Sequence, residues 1–213
     1  MQTEESMKRV GVLALQGAFS EHIQHLEKCV ADNGYEVKIV TVRTPEELSQ
    51  CDALVLPGGE STSMSLIAQR TGMFPHLRKF VHDPSKAVWG TCAGLIYISQ
   101  ELANERELVQ PLELLKVRVR RNAFGRQAQS FVQNCNFSEF IPGCHDFPAV
   151  FIRAPVIEHI FDADAVKPLF TLESGLIVAA SQGDNILATS FHPELAENDS
   201  RFHDWFLRQF VLK

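Results

Sequence analysis

"VWGTCAGLIYIS", Val88–Ser99, sets one cysteine between two glycines, directly after a short apolar run and directly before another. The pattern predicts a buried strand, a sharp bend at Cys92 and a helix leaving it. In an α/β sheet, a nucleophile at such a bend sits in strained backbone with its reactive atom clear of the main chain. Gly90 and Gly94, two places either side, leave space where a side chain would collide with the turn. A helix N-terminus below the sulfur favours thiolate. The same pentapeptide also suits a buried structural cysteine, because free cysteine is among the most buried residue types. The other four cysteines lack this setting and read as structural.

Upstream of the bend, strand and helix patterns alternate. "RVGVLAL" (Arg9–Leu15) reads as a strand of a parallel sheet, continuous in apolar residues. Phe19, Ile23, Leu26 and Val30 then mark one helical face, closed by Asn33-Gly34. "YEVKIVTV", "DALVLP" and "KAVWG" are further strands. "TPEELSQ" is a short helix with Pro45 in its first turn, and "STSMSLIAQRTG" a helix ending at Gly72. This alternation predicts an α/β fold: a mostly parallel open sheet with helices on both faces. From about Leu114 the runs become strand-like ("LLKVRVRRNAF", "QAQSFVQ", "AVFIRAP", "PLFTLESGLIVAASQ", "NILATSFHP"), which predicts an additional antiparallel patch in the second half. At the end, Phe202, Trp205, Phe206 and Phe210 share a helical face behind an Asn/Asp/Ser cap.

With 213 residues and neither a repeat nor a linker, one domain spanning residues 1–213 is expected. A net charge of −6 gives no reason to expect nucleic acid or an anionic membrane as partner. No apolar run approaches the roughly 18–20 residues of a spanning helix. The opening "MQTEESMKRV" is polar, and the "VGVLAL" after it is too short for a signal-peptide core. Five scattered cysteines with no CxxC pair fit a reducing, cytoplasmic setting. Cys144-His145, two adjacent residues with no second pair, do not make a metal site.

A nucleophilic thiol needs a base, and the base needs a group to orient it. "TSFHPEL" supplies both, since residues two apart on an extended segment face the same way. Glu194 can hold the imidazole of His192 while its other nitrogen turns to the thiol. His145, His159 and His203 have no carboxylate in so rigid a relation. The third element is "VLPGGEST", whose two glycines leave backbone N–H groups facing outward. They would cradle an oxyanion or a phosphate, or simply make a turn; the lack of a following lysine disfavours the P-loop reading.

Taken together and in this order, "PGGES", "GTCAG" and "HPE" resemble the class I glutamine amidotransferases. "GVLALQGAFSEH", "LPGGESTSM", "RRNAFGRQ", "VFIRAP" and "SFHPEL" look closer still to the glutaminase subunits of pyridoxal 5'-phosphate synthases. The resemblance implies hydrolysis of L-glutamine, with ammonia passed to a separate TIM-barrel synthase subunit that builds the pyridoxal phosphate ring. It implies no cofactor and no metal. Cys92 would be the nucleophile, completed by His192 and Glu194. Residues matching Gly59, Glu60, Ser61, Arg121, Ile152 and Arg153 hold glutamine in this family. Its oxyanion hole would use the N–H groups of Gly59 and Ala93, and a peptide matching Gln16-Gly17 reorients when the synthase docks. Glu113 departs from the family, which commonly has glycine there, and so does "CNFSEFIPGCHDFP". A cysteine hydrolase on a similar sheet would share the bend but leave HPE and the Arg121/Arg153 pair unexplained; an idle regulatory subunit would leave the triad unexplained.

Overall fold

Strands and helices alternate through the first hundred residues, and the sheet grows outward from its first strand. The computed structural model describes residues 7–125 and 129–213; residues 1–6 and the Arg126-Gln127 end of the "RRNAFGRQ" segment lie outside them. β1 (Lys8–Leu13) runs parallel to both β2 (Val37–Val42) and β3 (Ala53–Leu56). β4 (Ala87–Thr91) adds in parallel beside β3. The crossovers are α1 (Phe19–Asn33), α2 (Pro45–Ser49) and the pair α3 (Ser61–Arg70) and α4 (Met73–Val81). After Cys92, the short α5 (Ala93–Ile98) turns directly into β5 (Ser99–Leu102).

The second half supplies β6 (Leu115–Arg120), β7 (Ser130–Cys135), β8 (Phe147–Ile152), β9 (Val156–Ile160), β10 (Val166–Thr171), β11 (Ile177–Gln182), β12 (Ile186–Thr189) and α6 (Arg201–Phe206). The main sheet has the order β2-β1-β3-β4-β12-β11-β9-β6-β5, with β10 paired to β11. β12 returns from late in the chain to pair in parallel with β4. β6, β9, β10 and β11 form the antiparallel patch, and β7–β8 is a separate hairpin.

Both faces of the sheet are covered, as continuous apolar strands require. On β3, Ala53 and Val55 join one core while Leu54 and Leu56 join the other. The first core takes Leu26 of α1, Phe202 and Phe206 of α6, and Phe147 and Phe151 of the hairpin. The second takes Leu48 of α2, Met64 of α3, Leu77 of α4 and Ile98 of α5.

Local signals explain several boundaries. α1 ends at Gly34, left-handed at φ 65°. Thr44 and Glu47 form a reciprocal capping box at α2. The buried face of α1 differs from the expected one: it centres on His22, Leu26 and Cys29, with Phe19, Ile23 and Val30 on its flanks. The sequence pattern marks neither α4, whose Pro75 falls in its first turn, nor β9. Within the expected Asn/Asp/Ser cap of α6 the serine does not cap, because the Ser200 hydroxyl bonds His25 Nδ1 instead, at 2.8 Å. Asp199 accepts the Arg201 N–H in its place, at 3.1 Å, and α6 passes into a π-helical turn at Leu207–Val211.

Candidate active site

The C-terminal ends of β3, β4 and β12, neighbours in the sheet, carry Gly58-Gly59, Cys92 and His192. A parallel sheet presents its sites at that edge. Cys92 has φ 47° and ψ −101°, a strained backbone for a residue with a side chain. Its N–H donates to the Thr189 carbonyl at 2.8 Å, which ties the bend to β12. Its Sγ lies 3.9 Å from the Ile152 carbonyl, and the residue is only 4 % exposed. A Cβ on Gly94 would stand 2.0 Å from the Leu56 carbonyl oxygen, so β3 and α5 approach this closely only with glycine there. Burial pushes the other thiols up, Cys29 and Cys135 to about 12 and Cys51 and Cys144 to about 11, as structural cysteines require.

His192 and Glu194 meet, though not on an extended segment. β12 stops at Thr189, and Pro193–Leu195 forms a 3-10 turn. Proline opens that turn without losing a needed N–H, and the turn folds Glu194 back onto the ring. His192 Nδ1 lies 2.7 Å from Glu194 Oε1. The His192 N–H donates to Val150 of β8 at 2.8 Å. Beside it, Phe191 is fully buried among Phe137, Phe147, Phe151 and Phe202, so the histidine hangs from an aromatic anchor.

Burial of the His192 ring works against its charge, but Cys92 and Glu194 outweigh it through hydrogen bonding and charge, raising the imidazole to about 10. Burial likewise opposes the Glu194 carboxylate, yet His22 and His192 hold it below its ordinary range. His192 and Glu194 are therefore suited to an ion pair with each other.

The β3 loop closes over this pair. A Cβ on Gly58 would stand 2.3 Å from His192 Cε1 and 3.3 Å from Glu194 Oε1. Gly59 has φ 147°, and Gln16 Oε1 accepts the Glu60 N–H at 2.7 Å. The Ala18 N–H donates to the Gly58 carbonyl at 3.0 Å, so the Gln16-Gly17 turn is seated on the glycine pair. Ala93, buried, is the first residue of α5.

The remaining candidates lie nearby. The Glu60 carboxylate caps α3, accepting N–H bonds from Thr62 (3.0 Å) and Ser63 (2.6 Å), and Ser61 is buried behind it. The Arg121 guanidinium, whose side chain is 10 % exposed, lies 3.6 Å from Glu60 and 3.0 Å from Glu105. Asn104 clamps the Arg121 backbone from both sides. Ile152 offers its carbonyl to the thiol, and exposed Arg153 follows in a left-handed conformation, φ 45°.

Sequence reasoning missed Glu105 and a buried histidine pair behind the triad. His22 Nε2 lies 3.3 Å from Glu194 Oε2 and 3.2 Å from Thr91 Oγ1, and His22 Nδ1 lies 2.9 Å from His203 Nε2. The signal was a histidine on the apolar face of α1, in step with Leu26 and Cys29. Among the described residues, no group of three or more His, Cys, Asp or Glu is arranged to hold a metal ion, and no helix is long and apolar enough to cross a membrane.

The chain is similar to known proteins along nearly its whole length. The profile of the SNO glutamine amidotransferase family matches residues 12–212. The chain is 66% identical over 212 residues to pyridoxal 5'-phosphate synthase subunit SNO1 of Saccharomyces cerevisiae, covering 97% of this chain and 95% of that one. It is 42% identical over 205 residues to pyridoxal 5'-phosphate synthase subunit PdxT of Pyrococcus furiosus, covering 96% and 100%. A solved glutamine amidotransferase structure superposes with a TM-score of 0.77 at 40% identity, covering 94% of this chain and 97% of that one. Shared sequence along nearly the whole length, and a shared overall fold, make this chain a member of the SNO glutamine amidotransferase family.

Proposed function

We propose that this chain hydrolyses L-glutamine to L-glutamate and ammonia, and delivers the ammonia to the TIM-barrel synthase subunit of a pyridoxal 5'-phosphate synthase. The observation that carries this reading is Cys92, strained at the bend, beside a His192 ring held 2.7 Å from Glu194. An amide is a poor electrophile and ammonia a poor leaving group, so covalent catalysis divides the task. Cys92 thiolate attacks the side-chain amide carbon of glutamine. The N–H groups of Gly59 and Ala93 stabilise the tetrahedral oxyanion. His192, protonated, gives its proton to the departing ammonia, leaving a thioester on Cys92. Water, deprotonated by His192, then cleaves the thioester and releases glutamate. Glu194 keeps the ring oriented throughout. Arg121, little exposed and cationic, suits the substrate's α-carboxylate.

Ammonia release, assayed with and without the synthase subunit, tests the proposal. Cys92→Ala is expected to lower turnover on the order of 10⁴-fold or more, and His192→Asn similarly. Glu194→Ala should cost less, because it orients rather than reacts. Near-normal release by Cys92→Ala would remove the assignment, and silence of the wild-type chain in both conditions would favour an idle subunit. The Gln16-Gly17 turn on the Gly58 carbonyl is the element expected to move on docking, so turnover should be slower without the partner.

A further inference from the structure

The triad ends formally at Glu194, but its second oxygen faces further into the protein. Glu194 Oε2 is buried and has no hydrogen-bond partner among the described residues; the polar atom that approaches it is His22 Nε2, at 3.3 Å. Behind His22 stands His203, fully buried like it, with Nε2 2.9 Å from His22 Nδ1. His203 Nδ1 is also buried without a partner among the described residues.

Two neutral imidazoles that share one hydrogen bond have two tautomeric arrangements, and these partners distinguish them. If His22 donated from Nδ1, His203 would carry its hydrogen on the unpartnered Nδ1, and the lone pair of His22 Nε2 would face a carboxylate. That leaves a buried donor unsatisfied and sets a lone pair against a carboxylate oxygen. If His203 donates from Nε2 to His22 Nδ1, His22 carries its hydrogen on Nε2. That hydrogen has Thr91 Oγ1 at 3.2 Å and Glu194 Oε2 at 3.3 Å within its reach, and only a weakly demanding lone pair is left bare on His203. Both rings are held neutral. Burial drops His22 to about 4 against the pull of Glu194, with His192 and His25 adding to the drop; Glu21 pulls the other way. Burial, with His22 and His25 adjacent, takes His203 well below its usual value.

We propose that His22, set by His203, is a positioning residue for the triad, donating from Nε2 to the far oxygen of Glu194. The carboxylate then accepts from a histidine at each oxygen, is kept ionised, and cannot swing away from His192. The kinetic part of this inference rests on the glutaminase reading; the tautomer does not.

The test begins with ¹⁵N-histidine NMR of the full chain. A neutral His22 carrying its hydrogen on Nε2 at pH 7 supports the proposal. The Nδ1–H tautomer, or a His22 that titrates near 6.5, overturns it whether or not any variant folds. In the ammonia assay with the synthase subunit, His22→Leu should lower kcat about ten- to a hundredfold with KM nearly unchanged. It should also move the acid limb of kcat to higher pH, because a buried carboxylate stripped of a donor protonates more readily. His22→Gln, which restores an amide N–H near the Nε2 position, should recover most of both effects. Wild-type kcat and acid limb in His22→Leu, or equal losses in both variants with an unmoved limb, overturn the proposal. Retained turnover in Cys92→Ala would instead sink the glutaminase reading and leave the NMR result to decide the tautomer alone.

Discussion

Gly58 illustrates how little room the site leaves around its base. A methyl group there would press on the His192 ring at 2.3 Å, so Gly58→Ala should reduce glutamine turnover about a hundredfold or more while the far-ultraviolet circular dichroism stays unchanged. Glu105 acts in the opposite direction. Its carboxylate lies 3.0 Å from the Arg121 guanidinium, which the proposed function gives to substrate, and it is itself left-handed, at φ 52°. A carboxylate parked on Arg121 competes with an incoming one, so Glu105→Ala should lower KM for glutamine about two- to fivefold at low salt. An unchanged or higher KM would show that Glu105 instead holds Arg121 ready. At this scale the sequence was legible in the juxtaposition of Cys92, His192 and Glu194, whose residue types and spacing anticipated that the fold brings them together. It was not legible at Glu105 or His22, because a surface glutamate and a histidine on an apolar face carry no local mark of what they touch.

Elements were read correctly where their ends carry stereochemical signals. Gly34, the Pro45 turn and the Gly90–Gly94 bend fix α1, α2 and the β4–α5 junction. α4 and β9 escaped because Pro75 and the brief run Val156–Ile160 resemble punctuation until neighbours bury them. The link between His192 and Glu194 is a 3-10 turn rather than the expected extended segment, since β12 ends where β11 and β4 cease to pair with it. Glu113 stands where the resemblance expects glycine, and its φ of 57° is a left-handed conformation that suits glycine. Its side chain pairs with Arg78 across the surface. The left-handed conformation costs a side-chain-bearing residue about 1–2 kcal/mol, whereas an exposed ion pair returns about 0–1. Both Glu113→Gly and Glu113→Ala lose the pair, but only the former relieves the strain. Urea unfolding should therefore find the glycine variant more stable than the alanine variant by about 1 kcal/mol.

For the molecule as a whole, the buried histidines shape stability against pH in opposite senses. Unfolded His22 and His203 take up protons near 6.5, but the folded rings refuse them until far lower, about 4 for His22. Stability should therefore fall as pH drops from about 6.5 towards 4. His192 behaves inversely: folded, it keeps its proton to about 10, so its contribution is complete below 6.5 and fades as pH rises from there to 10. Urea midpoints should peak near neutrality, and His192→Asn should flatten the alkaline side; a wild-type profile level from 4 to 6.5 would contradict the buried-neutral histidines. The alternation of strands and helices made the parallel half of this architecture readable in advance. The order of the sheet was not, because pairings such as Ile186 with Val88 join residues far apart in the chain. That pairing has a temporal consequence. β12 fills a slot in the middle of the sheet, between β4 and β11, and the ribosome makes it late. Until translation passes residue 192 a growing chain has Cys92 but not the imidazole that the fold sets beside it, so under the proposed function a fragment that stops short of β12 would release no ammonia.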